Sequence, residues 1–332
     1  MPITNKKVLI TGGAGFIGAN FVYKFLDLGY KVIVVEREEA NFWRLDKIKD
    51  KINIHIADLR DYDKIEMLIN EQKPDIILHF AAYGVFQAKQ QDIKETIGTN
   101  LLGTINLVNA CSKIKFQCFI NTGSTSEYGA KDEPMKEDNL LEANNLYGIT
   151  KAASTMYCQY MAKKLNLPII TARLSAPYGY FEEKERLVPT IVKFCLENSQ
   201  LNLSSPVFVR DFVFIEDIIG AYLTIIKNAN DVNGEIFNVG TGVQITIDEL
   251  VNIIKKITNS AIKPKYGQIT PAQTEPKSWV ADISKIKEKL NWQPKYSLKE
   301  GLVKNIEWFK NNINLYTDNK IKNMEKINLD YK

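Results

Sequence analysis

Tyr147 and Lys151 stand four positions apart in Leu146-Tyr147-Gly148-Ile149-Thr150-Lys151. On a helix, residues at that spacing share one face. A phenol and an ammonium would then point the same way, which is the start of a general base. Free tyrosine titrates near 10, whereas a base works best near 7 at neutral pH, so roughly 3 units, or about 4 kcal/mol, must be found. A nearby cation favours the phenolate. One ammonium supplies part of that amount and a second positive charge must supply the rest. Taken alone, such a pair is usually an ordinary surface pair, and what surrounds it has to decide.

Composition excludes several alternatives. The net charge of +4, from 43 basic and 39 acidic residues interspersed along the chain, is too mild and scattered for nucleic-acid binding. No apolar run approaches the roughly 20 residues of a membrane span, and Val8-Leu9-Ile10 is too short for a signal-peptide core. Cys111, Cys118, Cys158 and Cys195 show neither metal spacing nor a disulfide framework, which points to reduced thiols in a cytoplasmic protein. With only His55 and His79, histidine metal sites and a Ser-His-Asp triad have little to draw on. His79, in strand-like sequence, reads as a core histidine.

The elements that would carry the pair alternate strand and helix. Lys7 to Thr11 is a strand, Phe16 to Leu28 an amphipathic helix stopped by Gly29, and Lys31 to Val35 a second strand ending at Glu36. Between the first two lies Thr11-Gly12-Gly13-Ala14-Gly15-Phe16-Ile17-Gly18. Glycines there permit a tight turn and bring backbone N–H groups at the helix start close to a pyrophosphate. Glu36 sits where a ribose hydroxyl partner is needed, so this βαβ unit predicts a dinucleotide site. A carboxylate there favours NAD over NADP, while Arg37 argues mildly the other way.

Further strands are expected at Ile52 to Ala57, Asp75 to Phe80, Gln117 to Thr122 and Ile169 to Leu174. Helices are expected at Tyr62 to Glu71, Ile93 to Lys113 and Tyr147 to Leu165. Strand ends in such a sheet line the ligand crevice. Asp58 is then a candidate for the adenine amino group, or else a helix cap. Ala81-Ala82 lets a cofactor pass closely. The hydroxyl-rich Ser124-Thr125-Ser126-Glu127-Tyr128-Gly129 can place a hydroxyl beside a substrate. Past residue 180 the sequence changes texture, with Arg186 before a helix at Leu187 to Glu197 and Arg210-Asp211-Phe212 before another at Ile218 to Asn228.

These residues resemble the extended short-chain dehydrogenase/reductases, in particular the nucleotide-sugar epimerase/dehydratase branch. The set is Gly12/Gly15/Gly18, Asp58, Ala81-Ala82, Asn100, Ser124, Tyr147/Lys151 and Arg210-Asp211-Phe212, and the resemblance runs from about Val8 to Phe309. It implies an α/β fold: a Rossmann-type doubly wound parallel sheet over 1–173, with segments near 207–240 returning to it. A smaller α/β nucleotide-sugar domain would occupy 174–313, and 314–332 would be a polar tail or a docking helix. It implies Ser124, Tyr147 and Lys151 as the catalytic set and NAD as cofactor, with NADP the alternative. Cofactor contacts would come from Gly12, Gly15, Phe16, Ile17, Gly18, Glu36, Arg37, Asp58, Leu59, Ala81, Ala82, Tyr83 and Asn100, besides Tyr147 and Lys151. Asn100 could equally satisfy local backbone. Substrate contacts would come from Ser124, Thr125, Tyr147, Ser175, Arg186 and Arg210. No metal is implied. A homodimer through the Ile93–Lys113 and Tyr147–Leu165 helices is.

Two departures narrow the reading. Dehydratases of this branch carry an acid pair directly after the catalytic Ser/Thr; here those positions are Thr125 and Ser126, with Glu127 one place further. The usual Asn of Arg-x-x-Asn-x-Tyr-Gly is Ala176, leaving Ser175 as a partial substitute. The resemblance therefore implies hydride transfer at C4 of an NDP-hexose, in a 4-epimerase or a 4-ketoreductase. The rivals are a 4,6-dehydratase using Glu127 and a non-catalytic NAD(P)-binding regulator on the same fold.

Overall fold

The computed structural model describes residues 5–85, 92–269 and 278–317. Of the segment expected as a tail or docking helix, residues 318–332 lie outside the described residues. Seven parallel strands form one sheet: β1 (Lys7–Thr11), β2 (Lys31–Glu36), β3 (Asn53–Ile56), β4 (Ile76–His79), β5 (Cys118–Ser124), β6 (Ile169–Leu174) and, eleventh-hour in the chain but adjacent to β6 in space, a strand at Ile236–Val239. The spatial order places β1 between β2 and β4. The chain winds outward from β1 through β2 to β3, then restarts on the other side with β4. That reversal opens a crevice at the strands' carboxyl ends.

Alternating side chains separate two cores. Val8, Ile10, Val32 and Val34 face the helices Phe16–Asp27 and Ile215–Lys227, joined by the apolar faces of the C-terminal part. Leu9, Ile33, Ile77 and Phe119 face the helices Tyr62–Gln72, Gly103–Cys111 and Leu146–Leu165. Helices on both faces explain why the central strands read as continuous apolar runs.

The long helix expected from Ile93 to Lys113 is interrupted. Ile93–Ile97 and Gly103–Cys111 are α-helical, and Gly98–Leu102 between them is a π-turn. Glycines at both ends of the break pack closely on the chain before it: a Cβ on Gly103 would lie 2.9 Å from Leu59 Cβ, and one on Gly98 3.1 Å from Arg60 Cδ. The stretch Trp43–Lys51, unassigned from sequence, is a 3₁₀ segment.

The C-terminal part supplies small sheets and amphipathic helices. Short strands Ala176–Tyr178 and Phe212–Phe214 pair in parallel, and Val209–Arg210 pairs antiparallel with Ile245–Thr246. Thr246 and Glu249 form a capping box, after which Ile247, Leu250, Val251 and Ile254 bury one helical stripe.

Candidate active site

The glycine turn follows β1. Gly12 has φ +69°, and a Cβ there would lie 2.6 Å from the Ala81 nitrogen. A Cβ on Gly18 would lie 2.1 Å from the Gly12 carbonyl oxygen. These glycines let turn, helix and β4 exit meet at backbone distance. Gly15 caps the helix Phe16–Asp27 without a side-chain hydrogen bond, and its first turn carries no acid. The positive end of the helix therefore faces the crevice, ready for an anion.

Glu36 bends back over this turn, its Oε1 accepting from the Ala14 N–H at 2.6 Å. Burial pushes its carboxyl up to about 7, against that hydrogen bond and the charges of Arg37 and Arg44. Asp58 is held by Arg60, whose Nε donates to both carboxylate oxygens at 3.0 Å, so its carboxyl sits below the usual range. It is not the cap of the next helix: Asp61 is, through the Lys64 N–H. Asp58 and Leu59 join Glu36, Arg37, Ala81 and Ala82 around a cavity of about 870 Å³.

Asn100 does not stand in the cavity wall. Its Oδ1 accepts from the Tyr83 N–H at 2.7 Å, and its Nδ2 donates to the Tyr83 carbonyl at 2.9 Å and to Thr150 Oγ1 at 3.0 Å. The amide satisfies the Tyr83 backbone and a Thr150 hydroxyl, which is the alternative expected for it beside a cofactor contact. Through these bonds it ties the loop after β4 to the Tyr147/Lys151 helix.

A second cavity of about 560 Å³ holds the chemistry. Gly12, Gly15, Arg37, Ala82 and Tyr83 line both cavities, so the two adjoin. Ser124 ends β5, and its Oγ accepts from the Ser126 N–H at 3.1 Å. Asn145 caps the helix Leu146–Leu165 through the Gly148 N–H at 2.8 Å. A Cβ on Gly148 would lie 2.4 Å from the Ser126 carbonyl oxygen. Gly148 thus lets the helix start lie against the serine loop, which brings Tyr147 beside Ser124.

Burial pushes the Tyr147 phenol up to about 12. The strongest opposing influence is the Arg186 guanidinium, followed by the Ser124–Tyr147 hydrogen bond, while Glu127 works the other way. The cation expected for this task was Lys151. The ammonium of Lys151 is itself buried, which pulls it down to about 8 against the raising influence of Glu127.

The far wall is built by the C-terminal part. Arg186 pairs with Glu182 at 3.0 Å and lines the cavity. Arg210 donates from Nη1 to the Val209 carbonyl and lies 5.8 Å from the Trp279 ring centre, both facing the same space. Glu216 pairs with Lys304, and Asp217 accepts from the Lys295 N–H. Ser175 is buried in this wall, and its Oγ has no partner among the described residues. An orphaned hydroxyl facing a cavity is a position where a ligand completes the hydrogen bonding. Trp279 was not anticipated, since a lone tryptophan in a loop carries no spacing signal.

A nucleotide crevice with a glycine turn, an acid at the end of β2 and a Ser/Tyr/Lys set agrees with one family description, NAD dependent epimerase/dehydratase, whose model matches residues 8–240. The chain belongs to the NAD dependent epimerase/dehydratase family. It is 28% identical over 334 residues to the dTDP-D-glucose 4,6-dehydratase of Homo sapiens, covering 97% of this chain and 93% of that one. It is also 28% identical to a putative UDP-glucose 4-epimerase of Methanocaldococcus jannaschii, covering 92% of this chain and 99% of that one. Among solved structures, a UDP-glucose 4-epimerase with UDP-glucose from Thermotoga maritima superposes with a TM-score of 0.84 at 27% identity, over 92% of this chain and 99% of that chain. A dTDP-glucose 4,6-dehydratase from Bacillus anthracis in complex with NAD gives 0.82 at 26% identity, over 93% and 98%.

As a member of this NAD dependent family, the protein is an enzyme of the nucleotide-sugar epimerase/dehydratase type, and NAD is its cofactor. The open helix start, the Glu36 carboxylate and the Ala81-Ala82 wall fit that cofactor. Among the described residues no helix is long and apolar enough to cross a membrane, and no cluster of His, Cys, Asp and Glu is arranged to hold a metal.

Proposed function

We propose that the protein is an NAD-dependent 4-epimerase or 4-ketoreductase of a nucleoside-diphosphate hexose. One observation carries this choice over dehydration. The residues after Ser124 that line the cavity are Thr125 and Ser126, both hydroxyls, whereas Glu127 is fully buried outside the wall and paired with Arg173 at 2.7 Å. Removing water across C5 and C6 needs a carboxylate and a carboxylic acid at the substrate. The two positions after Ser124 offer neither, and the carboxylate that does line the cavity, Glu183, is paired with Arg44 at 3.1 Å.

In this reading NAD supplies the hydride acceptor or donor for C4 and a positive charge beside the phenol. Tyr147, as phenolate, takes the proton of the 4-hydroxyl as the C4–H bond breaks, or returns it to a 4-keto oxygen. At pH 7 a phenol near 12 resists ionisation by roughly 7 kcal/mol, which Arg186, Lys151 and the cofactor charge must offset together. Lys151 also holds the nicotinamide ribose. Ser124 donates to the reacting oxygen and steadies its developing charge. Arg210 and Arg186 pair with the diphosphate through forked donors, and Ser175 completes that side.

The names of the dehydratase relatives favour a second reading, 4,6-dehydration through Glu127. Incubation with NAD and a panel of NDP-hexoses separates the two. An epimerase yields the C4 epimer without net NADH, and a reductase consumes NADH with a 4-keto substrate. A 4-keto-6-deoxy product would overturn the proposal. We further propose a cytoplasmic homodimer in which 1–173 binds NAD and 174–313 the nucleotide sugar.

A further inference from the structure

The catalytic loop rests on a buried ion pair that the proposed chemistry does not use. Glu127 and Arg173 are 0% and 2% exposed, and Arg173 Nε donates to Glu127 Oε2 at 2.7 Å. The other oxygen, Oε1, accepts from the Ser124 N–H at 2.9 Å and from Thr155 Oγ1 at 3.1 Å. Thr155 lies one helical turn beyond Lys151, on the same face. One carboxylate therefore touches the main chain of the catalytic serine and the helix face that carries the catalytic lysine. Arg173 is fixed in turn by the Tyr128 hydroxyl at 2.9 Å and the Glu137 carbonyl at 3.3 Å. Gly123 makes room for the pair, since a Cβ there would lie 2.5 Å from Glu127 Oε1 and 2.9 Å from Arg173 Cγ.

We infer that Glu127 is a positioning residue: clamped by Arg173, it holds the Ser124 main chain and serves as the buried counter-charge of the Lys151 ammonium. The inference rests on the proposed roles of Ser124, Tyr147 and Lys151. Among the described residues, the groups that act on Lys151 are Glu127 from the loop after β5 and Cys158 from its own helix; His79 of β4 feels its charge, Tyr147 stands one helical turn before it, and Arg173 of β6 lies behind Glu127. His79 is buried between Thr11 and Thr104, and burial pulls it down to about 3, so it is neutral near pH 7. Burial pushes the Cys158 thiol up to about 12 and the Tyr147 phenol likewise. Glu127 is then the negative charge left to oppose the burial of the ammonium, in agreement with its raising influence on Lys151. The same charge disfavours the Tyr147 phenolate, so its value lies in keeping Lys151 charged.

The test is an NMR titration of the NAD-loaded protein with lysine labelled at Cε, the Lys151 signal being assigned by its loss in Lys151→Met. Burial in the protein pulls the ammonium down to about 8, and the midpoint of the unaltered NAD-loaded protein is the reference. In Glu127→Gln it should fall by about one unit or more, because the neighbouring negative charge is gone. Glu127→Asp, which keeps the charge, should restore it. An unchanged midpoint in a folded Glu127→Gln protein would overturn the inference and leave Glu127 a purely structural cap. If the single substitution does not fold, the neutral double change Glu127→Gln with Arg173→Met removes both buried charges, which such pairs tolerate better. A fall in the same direction but smaller is expected there, because the Arg173 charge that offsets Glu127 is removed with it, and no fall at all counts against the inference. The titration needs no sugar substrate, so failure to turn over any NDP-hexose would count against the proposed reaction and not against this charge pairing.

Discussion

At the residue scale, the reaction proposed here converges on one phenolic oxygen, which burial makes harder to ionise. Tyr147→Phe removes that oxygen and little volume. It should lower turnover by about 10²- to 10⁴-fold, the usual contribution of a general base, while NAD binding is retained; steady-state kinetics beside a calorimetric NAD titration would show the split. Lys151 gives a pH dependence of known sign. Burial pulls its ammonium down to about 8, so the positive charge that would support the phenolate and hold the ribose in the proposed reaction is present below that value and lost above it. The basic limb of kcat/KM is expected near pH 8, and a profile flat to pH 10 would contradict the role of this ammonium. Burial pushes the Glu36 carboxyl up to about 7. Above that pH it is ionised and, in its proposed place beside the cofactor, would accept from ribose hydroxyls and repel a 2′-phosphate. Below it, both effects fade. The preference for NAD over NADP should therefore widen several-fold between pH 6 and pH 8, as separate Kd measurements for the two cofactors would reveal.

At the element scale, the helix Leu146–Leu165 must lie against the serine loop closely enough for Tyr147 to reach Ser124, and Gly148 is what permits it. Gly148→Ala improves helix propensity but drives a methyl into the Ser126 carbonyl. Turnover should fall roughly 100-fold, as for other small misplacements of reacting groups, with the thermal midpoint changing far less. Equal loss of both would show a folding defect instead. The contrast also explains what could be read in advance. The glycine turn, the alternating strands and the Tyr147/Lys151 spacing are local patterns, written within a few residues of chain. The consumption of Asn100 by Tyr83 and Thr150, the field of Arg186 on Tyr147, the approach of Trp279 to Arg210 and the clamp of Arg173 on Glu127 each join segments distant in sequence. No periodicity encodes those contacts. The π-turn at Gly98–Leu102 is similar, since helical spacing runs through it unbroken while Gly98 and Gly103 pack against Arg60 and Leu59, some forty residues earlier in the chain.

At the scale of the whole molecule, the proposed homodimer has a surface that suits it. On the helix Leu146–Leu165, Ile149, Met156 and Tyr160 are 52%, 63% and 52% exposed, and Ile93 and Leu102 near the adjoining π-turn are 60% and 50% exposed. Scattered apolar residues on a surface need no explanation, but a set on two neighbouring helices does. Ile149, Met156 and Tyr160 follow one helical stripe, the complement of the buried Thr155, Cys158 and Ala162 that pack on the sheet. A symmetric dimer would bury that stripe against its own copy. Met156→Lys places a charge at its centre and leaves the buried face intact. The expected result is a monomer by size-exclusion chromatography with light scattering at micromolar concentration, where the unaltered protein elutes as a dimer. The catalytic helix would then lose its external support, so turnover should drop with dissociation. An unaltered protein that is already monomeric at that concentration would remove the stripe as an interface and leave the helix supported by the sheet alone.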